Sequence, residues 1–111
     1  MNRKIKQYFV FAGLVVALAG AGCLRQDKVT VTISVPQMKS MECSKRITDA
    51  LAIPEIDFAI PDTTTRTIAV TYDSKTLALK NVEFLISGAG FDANDTPANP
   101  EARAALPEGC R

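Results

Sequence analysis

The apolar residues of this chain change their spacing in a fixed order, and this order constrains the fold more than any other feature. Over residues 29–35, valine and isoleucine alternate with threonine and serine, which is the two-residue period of a strand with one buried face. After Pro36 the apolar spacing becomes helical, until Pro54 stops the helix. The apolar side of this helix is predicted to comprise Met41, Ile47, Ala50 and Leu51. Alternation then returns in residues 56–60 and 68–72, and helical spacing returns in residues 79–86.

A short final strand around Phe91 completes the order strand, helix, strand, strand, helix, strand. This is the ferredoxin-like arrangement, an α+β fold with two helices on one face of a four-stranded antiparallel sheet. We expect this domain to span residues 29–95, with Phe58, Val70 and Leu85 packed together in its core. Residues 96–111 form a C-terminal tail in which Asn99 caps a short helix, and Cys110 is displayed on a flexible segment.

The N-terminal residues predict export. Three basic residues precede an apolar run from Tyr8 to Ala19, and small residues follow up to Cys23. A run of about twelve residues is shorter than the roughly twenty that span a bilayer, so residues 1–22 are predicted to be a signal peptide rather than a single anchor. An ordinary signal peptidase would cut before Gly22. We favour a lipoprotein cleavage that leaves a lipidated Cys23 and a tether over residues 23–28, because cysteine directly follows small residues. The protein is thus expected in a bacterial periplasm or cell envelope, anchored to the membrane through lipid.

Charge and composition exclude several functions. Without residues 1–22 the chain has 10 basic and 12 acidic side chains, a formal charge of −2, and no basic patch with aromatic platforms, so nucleic-acid binding is disfavoured. The chain has no histidine, which removes Ser-His-Asp and Cys-His catalysis, and no Gly-rich phosphate loop precedes a helix. We therefore expect no enzymatic activity.

Sulfur near the start of the first helix is the main candidate for function. Thiolate and thioether ligands select soft metal ions, and a helix N-terminus favours the thiolate form of a cysteine. Cys43 is expected to be exposed at the loop-to-helix junction and to be the central ligand, with Ser40 as the helix cap. The further predicted ligands are Cys110, Met41 and Met38. Cys110 is expected either to share a metal ion with Cys43 or to form a disulfide with it, and the tail is long enough for both. The alternative is a disordered tail whose cysteine pairs with another molecule or remains unpaired.

The segment from Met38 to Ile47 resembles the heavy-metal-associated domain of copper chaperones, metal-pumping ATPase modules and periplasmic mercuric ion-binding proteins. That family has the motif Met-x-Cys-x-x-Cys followed by a helical Ile or Val, and Met38, Cys43 and Ile47 match it, whereas Ser40 stands in place of the first cysteine. Two further segments resemble the family's third strand and its Gly-Tyr-x-Ala ending: Ile68-Ala69-Val70-Thr71-Tyr72-Asp73 and Gly88-Ala89-Gly90-Phe91-Asp92-Ala93.

The resemblance implies an exported protein that binds a soft metal ion, Cu(I), Hg(II) or Zn(II), and passes it by thiolate ligand exchange to a metal-transport or metal-accepting protein. In this family the methionine at the position of Met38 usually packs beneath the loop. The alternative is a domain that has kept the fold and lost the metal clamp, and serves as a disulfide-stabilised structural or protein-interaction module. Thiol redox exchange is a third, weaker interpretation, because the chain contains no Cys-x-x-Cys.

Overall fold

A computed structural model of the protein describes residues 27–111. The predicted signal peptide, the lipidated Cys23 and all but the end of the tether lie outside the described residues. The strands are β1 (Lys28–Ser34), β2 (Ile56–Asp62) and β3 (Thr67–Asp73), and the helices are α1 (Met41–Ala50), α2 (Leu79–Gly88) and α3 (Pro100–Ala104), followed by a 3₁₀ turn, Glu108–Cys110. Within residues 27–111 no helix is long and apolar enough to cross a membrane.

The sheet has the antiparallel order β1-β3-β2. Because side chains alternate across a strand, β3 buries Ile68, Val70 and Tyr72 on the face that the helices cover. Helix α1 packs against β2 and α2, so both long helices close the same face of the sheet. The buried core is formed by Ile33, Val35, Met38, Cys43, Ile47, Leu51, Ile68, Val70, Tyr72, Val82, Ile86, Phe91, Ala93, Leu106 and Cys110.

The predicted inward face of β2 is wrong beyond its first residue. Ile56 pairs with Tyr72 but Phe58 pairs with Thr71, so one extra residue, Asp57, forms a bulge. A one-residue slip exchanges the two faces of a strand, and Phe58 is consequently 63% exposed instead of packing in the core. Ala59 is the half-buried residue that faces the helices. Of the three expected core partners, Val70 is fully buried and Leu85 packs at the margin of the core.

The predicted fourth strand does not form among the described residues. At the position where it would pair with β1, the backbone N–H of Asn94 donates to the Ser34 carbonyl, 2.9 Å. The Ser34 N–H, however, donates to the side-chain Oδ1 of Asn94, also 2.9 Å, and not to a backbone carbonyl. Asn94 has φ +53°, a left-handed conformation that turns the chain away from β1. A single bridge between Ala93 and Thr96 closes that turn.

The two long helices confirm the spacing prediction with one correction. Ser40 caps α1 by accepting a hydrogen bond from the Cys43 N–H, as expected. Cys43, Ile47 and Leu51 are spaced four residues apart and form the buried stripe. Met41 was expected on this apolar side but is 79% exposed, because a residue six positions before Ile47 lies about 120° around the helix.

The tail is packed onto the domain and is not a free segment. Asn99 caps α3 by accepting from the Ala102 N–H, 3.0 Å, as the sequence predicts. Leu106, which follows α3, is 5% exposed and belongs to the core. Gly90, with φ +102°, lies beneath it: a Cβ there would be 2.8 Å from Leu106 Cδ1 and 2.9 Å from the Ala102 carbonyl carbon. Only glycine fits this close approach without a shift of α3.

Candidate metal and thiol site

Cys43 is the third residue of α1, so its side chain lies at the helix N-terminus. The Ser40 hydroxyl oxygen is 3.2 Å from Cys43 Sγ and also accepts the Cys43 N–H, 3.4 Å. The expected exposure of Cys43 is wrong, because the residue has no solvent-accessible surface. Its position in the four-residue stripe of α1 directs the sulfur toward the core rather than toward water.

Cys110 reaches Cys43 from the C-terminal end of the chain. The two residues form a disulfide across 67 residues of chain, with their Cα atoms 5.6 Å apart. Of the arrangements that the sequence left open for Cys110, the structure contains the disulfide with Cys43. Cys110 is 1% exposed, so the prediction that it is displayed on a flexible segment is also wrong.

Two polar clusters hold the segment between α2 and α3, and they explain how the tail reaches the first helix. In one cluster Asp92 accepts from the Ala98 N–H, 2.7 Å, and from Gln37 Nε2, 2.6 Å. Gln37 Oε1 in turn accepts the Asp92 N–H, 3.1 Å. The pKa of Asp92 lies below its ordinary value, mainly because of the hydrogen bond from the Ala98 N–H and, to a smaller extent, because of the hydrogen bond from Gln37. Burial opposes this shift.

The second cluster surrounds Glu83, which is buried on α2. Asn94 Nδ2 donates to one carboxylate oxygen, 2.8 Å, and the Thr96 hydroxyl donates to the other, 2.8 Å. Lys80 forms a 3.2 Å ion pair with the same carboxylate. The Asn94 hydrogen bond is the largest cause that holds the pKa of Glu83 below its ordinary value; burial opposes it, and Thr96 and Lys80 reinforce it. The carboxylate thus fixes the start of the tail on α2.

The last turn is attached differently. In residues 107–111 the backbone hydrogen bonds run from Cys110 N–H to Pro107 and from Arg111 N–H to Glu108, and Arg111 Nε donates to the Leu106 carbonyl, 3.1 Å. All three bonds stay within residues 106–111. Among the described residues, this turn is joined to the rest of the domain through Cys43, by the covalent disulfide and by a 3.7 Å approach of Cys43 Sγ to the Gly109 carbonyl oxygen.

The two methionines lie in contrasting environments. Met38 is fully buried in the core, as the family resemblance implies for a residue beneath the loop. Met41 is exposed and lies at a groove between α1 and the end of β2, which is lined by Met41, Glu42, Ser44, Lys45, Thr48 and Pro61. Within residues 27–111 no group of three or more His, Cys, Asp or Glu side chains converges. The chemically distinctive pair is therefore the two cysteine sulfurs, with the Ser40 hydroxyl beside them.

Sequence reasoning missed the anchors of the tail, Gln37, Glu83 and Asn94. Their partners are non-local, so spacing along the chain carries no signal for them. Leu106 was the sequence feature that could have indicated a packed tail, because it is the single large aliphatic residue in residues 96–111 and needs an apolar partner.

Comparison with known proteins supports the fold. No protein-family model and no curated protein matches the sequence. Oxidized MerP from Ralstonia metallidurans CH34 is similar in structure, with a TM-score of 0.57, 24% identity, and coverage of 60% of this chain and 94% of MerP. The CopZ metallochaperone has a TM-score of 0.56 and 21% identity, with coverage of 59% and 98%. A protein of Bacillus anthracis str. Ames proposed to bind copper ions has a TM-score of 0.58 and 21% identity, with coverage of 63% and 100%.

These similarities confirm that the chain resembles the heavy-metal-associated proteins in fold. They cover about three fifths of this chain.

Proposed function

We propose that the reduced protein binds one soft metal ion, of the Cu(I) or Hg(II) type with Zn(II) as a further candidate, between the thiolates of Cys43 and Cys110. The observation that carries this proposal is that the tail brings Cys110 to Cys43 at the start of α1, with a Cα–Cα distance of 5.6 Å. The second thiolate then comes from the tail, because Ser40 stands where the family motif has its first cysteine.

The two sulfurs have to move apart for such an ion to bind between them. Metal–thiolate bonds are about 2.3 Å, so two ligand sulfurs are about 3.8 Å apart at a tetrahedral angle and about 4.6 Å apart in a linear site. In the disulfide the two sulfurs are bonded to each other. This movement falls on the turn of residues 107–111, whose polar contact with the described part of the domain, apart from the disulfide, is the approach of Cys43 Sγ to the Gly109 carbonyl oxygen.

The remaining predicted ligands occupy different positions relative to this pair. Met41 lies at the surface groove beside α1, on a different side of the helix from the buried Cys43, so its proposed part as a third ligand requires its long side chain to turn toward the pair. Met38 is buried and would have to leave the core to bind, so its proposed part is to support the loop. A site in which one thiolate is held on α1 and the other lies on a movable turn suits transfer to a metal-accepting protein, in which one thiolate replaces another and no covalent bond of a substrate breaks.

The test is a Cu(I) titration against a competing chelator under reducing conditions. We expect one ion per chain for the wild type, and an affinity loss of at least about tenfold, which is 1.4 kcal/mol, for Cys43→Ser and for Cys110→Ser. Ser40→Cys should raise the affinity, because residue 40 is exposed and its side-chain oxygen already lies 3.2 Å from Cys43 Sγ.

Asp49→Cys is the matched control, since it adds an exposed thiol to the same helix, away from the cysteine pair and from the residues that line the groove beside Met41. It should leave the affinity of the reduced protein unchanged. Equal and negligible binding by the wild type and Cys43→Ser would refute the metal proposal.

A second candidate is favoured by the disulfide itself. A fully buried cross-link is what a structural or protein-interaction module would retain after losing its metal clamp. Under this proposal the reduced wild type and Cys43→Ser bind copper equally weakly, and both cysteines matter only for stability.

Export and lipid attachment at Cys23 remain proposals that support either function, since disulfides persist in oxidising compartments. Mass spectrometry of the mature N-terminal peptide tests them. A diacylated or triacylated Cys23 would support the anchor, and an unmodified N-terminus at Gly22 would refute it while leaving export intact.

A further inference from the structure

We propose that the Cys43–Cys110 disulfide is a directional gate: a dithiol reductant attacks Cys110, Cys43 leaves as the thiolate, and only the turn of residues 107–111 moves. This proposal concerns the same two cysteines as the proposed metal site. It is independent of metal, and so is its test.

The direction follows from the different surroundings of the two sulfurs. In thiol–disulfide exchange the sulfur whose thiolate is better stabilised leaves faster. Cys43 is at the third position of the ten-residue helix α1, where the positive end of the helix dipole favours an anion. The Ser40 hydroxyl, 3.2 Å away, can donate to the departing Cys43 thiolate. Cys110 lies in a single 3₁₀ turn, and no side-chain donor in the described part of the chain bonds its sulfur.

Access to the two sulfurs differs in the same direction. Both cysteines are buried, so an incoming thiolate must wait for a local opening. Cys43 is held in the first turn of α1, which Ser40 caps, so its sulfur cannot move toward an incoming thiolate unless that turn unfolds. To expose Cys110, only the turn of residues 107–111 must shift, and its hydrogen bonds stay within residues 106–111.

The exchange proceeds in two balanced steps. In the first step, a thiolate of the reductant forms a bond to Cys110 Sγ. The bond between Cys110 and Cys43 breaks at the same time, and the electron pair of that bond leaves on Cys43 Sγ. The second thiolate of the reductant then attacks the reductant's first sulfur, which is bonded to Cys110 in the mixed disulfide. This forms the disulfide of the reductant and releases Cys110 as a thiolate. The dithiol is oxidised to a disulfide, and Cys43 and Cys110 are reduced together. The partner that this chemistry selects is a protein with two neighbouring thiols.

Opening should leave the rest of the tail in place. The Asn99 N–H donates to the Ser87 carbonyl, 3.0 Å, and the Ser87 hydroxyl donates to the Pro97 carbonyl, 2.7 Å. Leu106 remains in the core beside Gly90. These contacts hold α3, so the gate frees the two sulfurs without undocking the helix.

The test uses the oxidised protein without metal and glutathione as the attacking thiol. The reaction is stopped with acid at early times, the free thiols are alkylated, and peptide mass spectrometry locates the glutathione. We expect glutathione on Cys110 in at least about tenfold excess over Cys43. Equal labelling, or an excess on Cys43, would overturn the direction.

Variants separate the role of the Ser40 hydroxyl from a general loosening of the helix. Ser40→Ala should lower the labelling ratio by about threefold, and Ser40→Thr, which keeps the hydroxyl, should restore it. Ser44→Ala is the matched control, because the Ser44 hydroxyl donates to the Met41 carbonyl, 3.0 Å, and not to the disulfide. If Ser40→Ala and Ser44→Ala lower the ratio equally, Ser40 has no positioning role.

Hydrogen exchange tests which segment moves. On reduction, the amides of Cys110 and Arg111 should lose protection, while those of Asn99, Arg103 and Leu106 keep it. Loss of protection across residues 99–106 would show that the whole tail undocks and would overturn the local gate. A failed copper titration leaves both measurements intact, so this proposal and the metal site are tested separately.

Discussion

Removing the disulfide should destabilise the protein by an amount that the length of its loop determines. The cross-link closes 67 residues of chain. On the chain-entropy model, a loop of that length lowers the entropy of the unfolded state enough to stabilise the fold by about 4 kcal/mol. Native stability for a small domain is only about 5 to 15 kcal/mol. The free energy of unfolding of the oxidised protein should therefore fall by a large fraction in Cys110→Ser.

A urea titration of four samples measures this effect: wild type and Cys110→Ser, each oxidised and reduced. With a urea dependence of about 1 to 1.5 kcal/mol per molar, the midpoint of the oxidised wild type should lie about 3 M above that of the variant. Reduction should lower the wild type to within about 1 kcal/mol of the variant, because both chains then unfold to an open ensemble. Reduction should leave Cys110→Ser unchanged.

Two results would refute this reasoning. A difference that persists after reduction would mean that Cys110 stabilises the fold through packing of its buried side chain rather than through the cross-link. A difference below about 1 kcal/mol in the oxidised samples would mean that the unfolded chain already holds the two cysteines together, or that the disulfide strains the fold.

Two further predictions concern the core and the buried carboxylate. Val70→Ala should cost about 2 to 3 kcal/mol in denaturant titrations because Val70 is fully buried, whereas Phe58→Ala should cost less than about 1 kcal/mol because the bulge in β2 leaves Phe58 63% exposed; a larger cost at Phe58 would contradict the described register. Because the pKa of Glu83 is held below its ordinary value, its contribution to stability should be fully present above the unfolded-state pKa of about 4.3 and be lost as pH falls through the lower folded-state pKa. Unfolding free energies measured from about pH 6 to about pH 3, a range that brackets the unfolded-state pKa, should show a weaker pH dependence in Glu83→Gln than in the wild type and in the exposed control Glu101→Gln. Identical slopes would show that Glu83 makes no such contribution.

Much of the fold was predictable because it depends on local spacing. The alternation in β1 and β3 and the four-residue spacing in α1 and α2 place apolar side chains on one face, and burial of that face against its neighbours follows from the hydrophobic effect. The Ser40 and Asn99 caps were also predictable, since each needs only a side chain within three residues of the amide that it accepts.

The failures share a different cause. The bulge at Asp57 depends on how β2 aligns with β3, and the missing fourth strand depends on the left-handed turn at Asn94 and on its hydrogen bond to Glu83. Both outcomes depend on contacts between segments that are distant in sequence. The spacing of apolar residues within one strand therefore does not predict them. Phe58 was predicted to be buried for this reason.

The sequence by itself determined that Cys43 lies at the start of the first helix and that the chain has a second cysteine able to reach it. It left open whether the two would meet as a disulfide or around a metal ion. Tertiary structure decided the pairing, through the two polar clusters that hold the tail and through Leu106 in the core. The physical reason is that an element's own periodicity fixes which way a side chain faces, whereas the distance between two sulfurs separated by 67 residues depends on every contact that folds the chain between them.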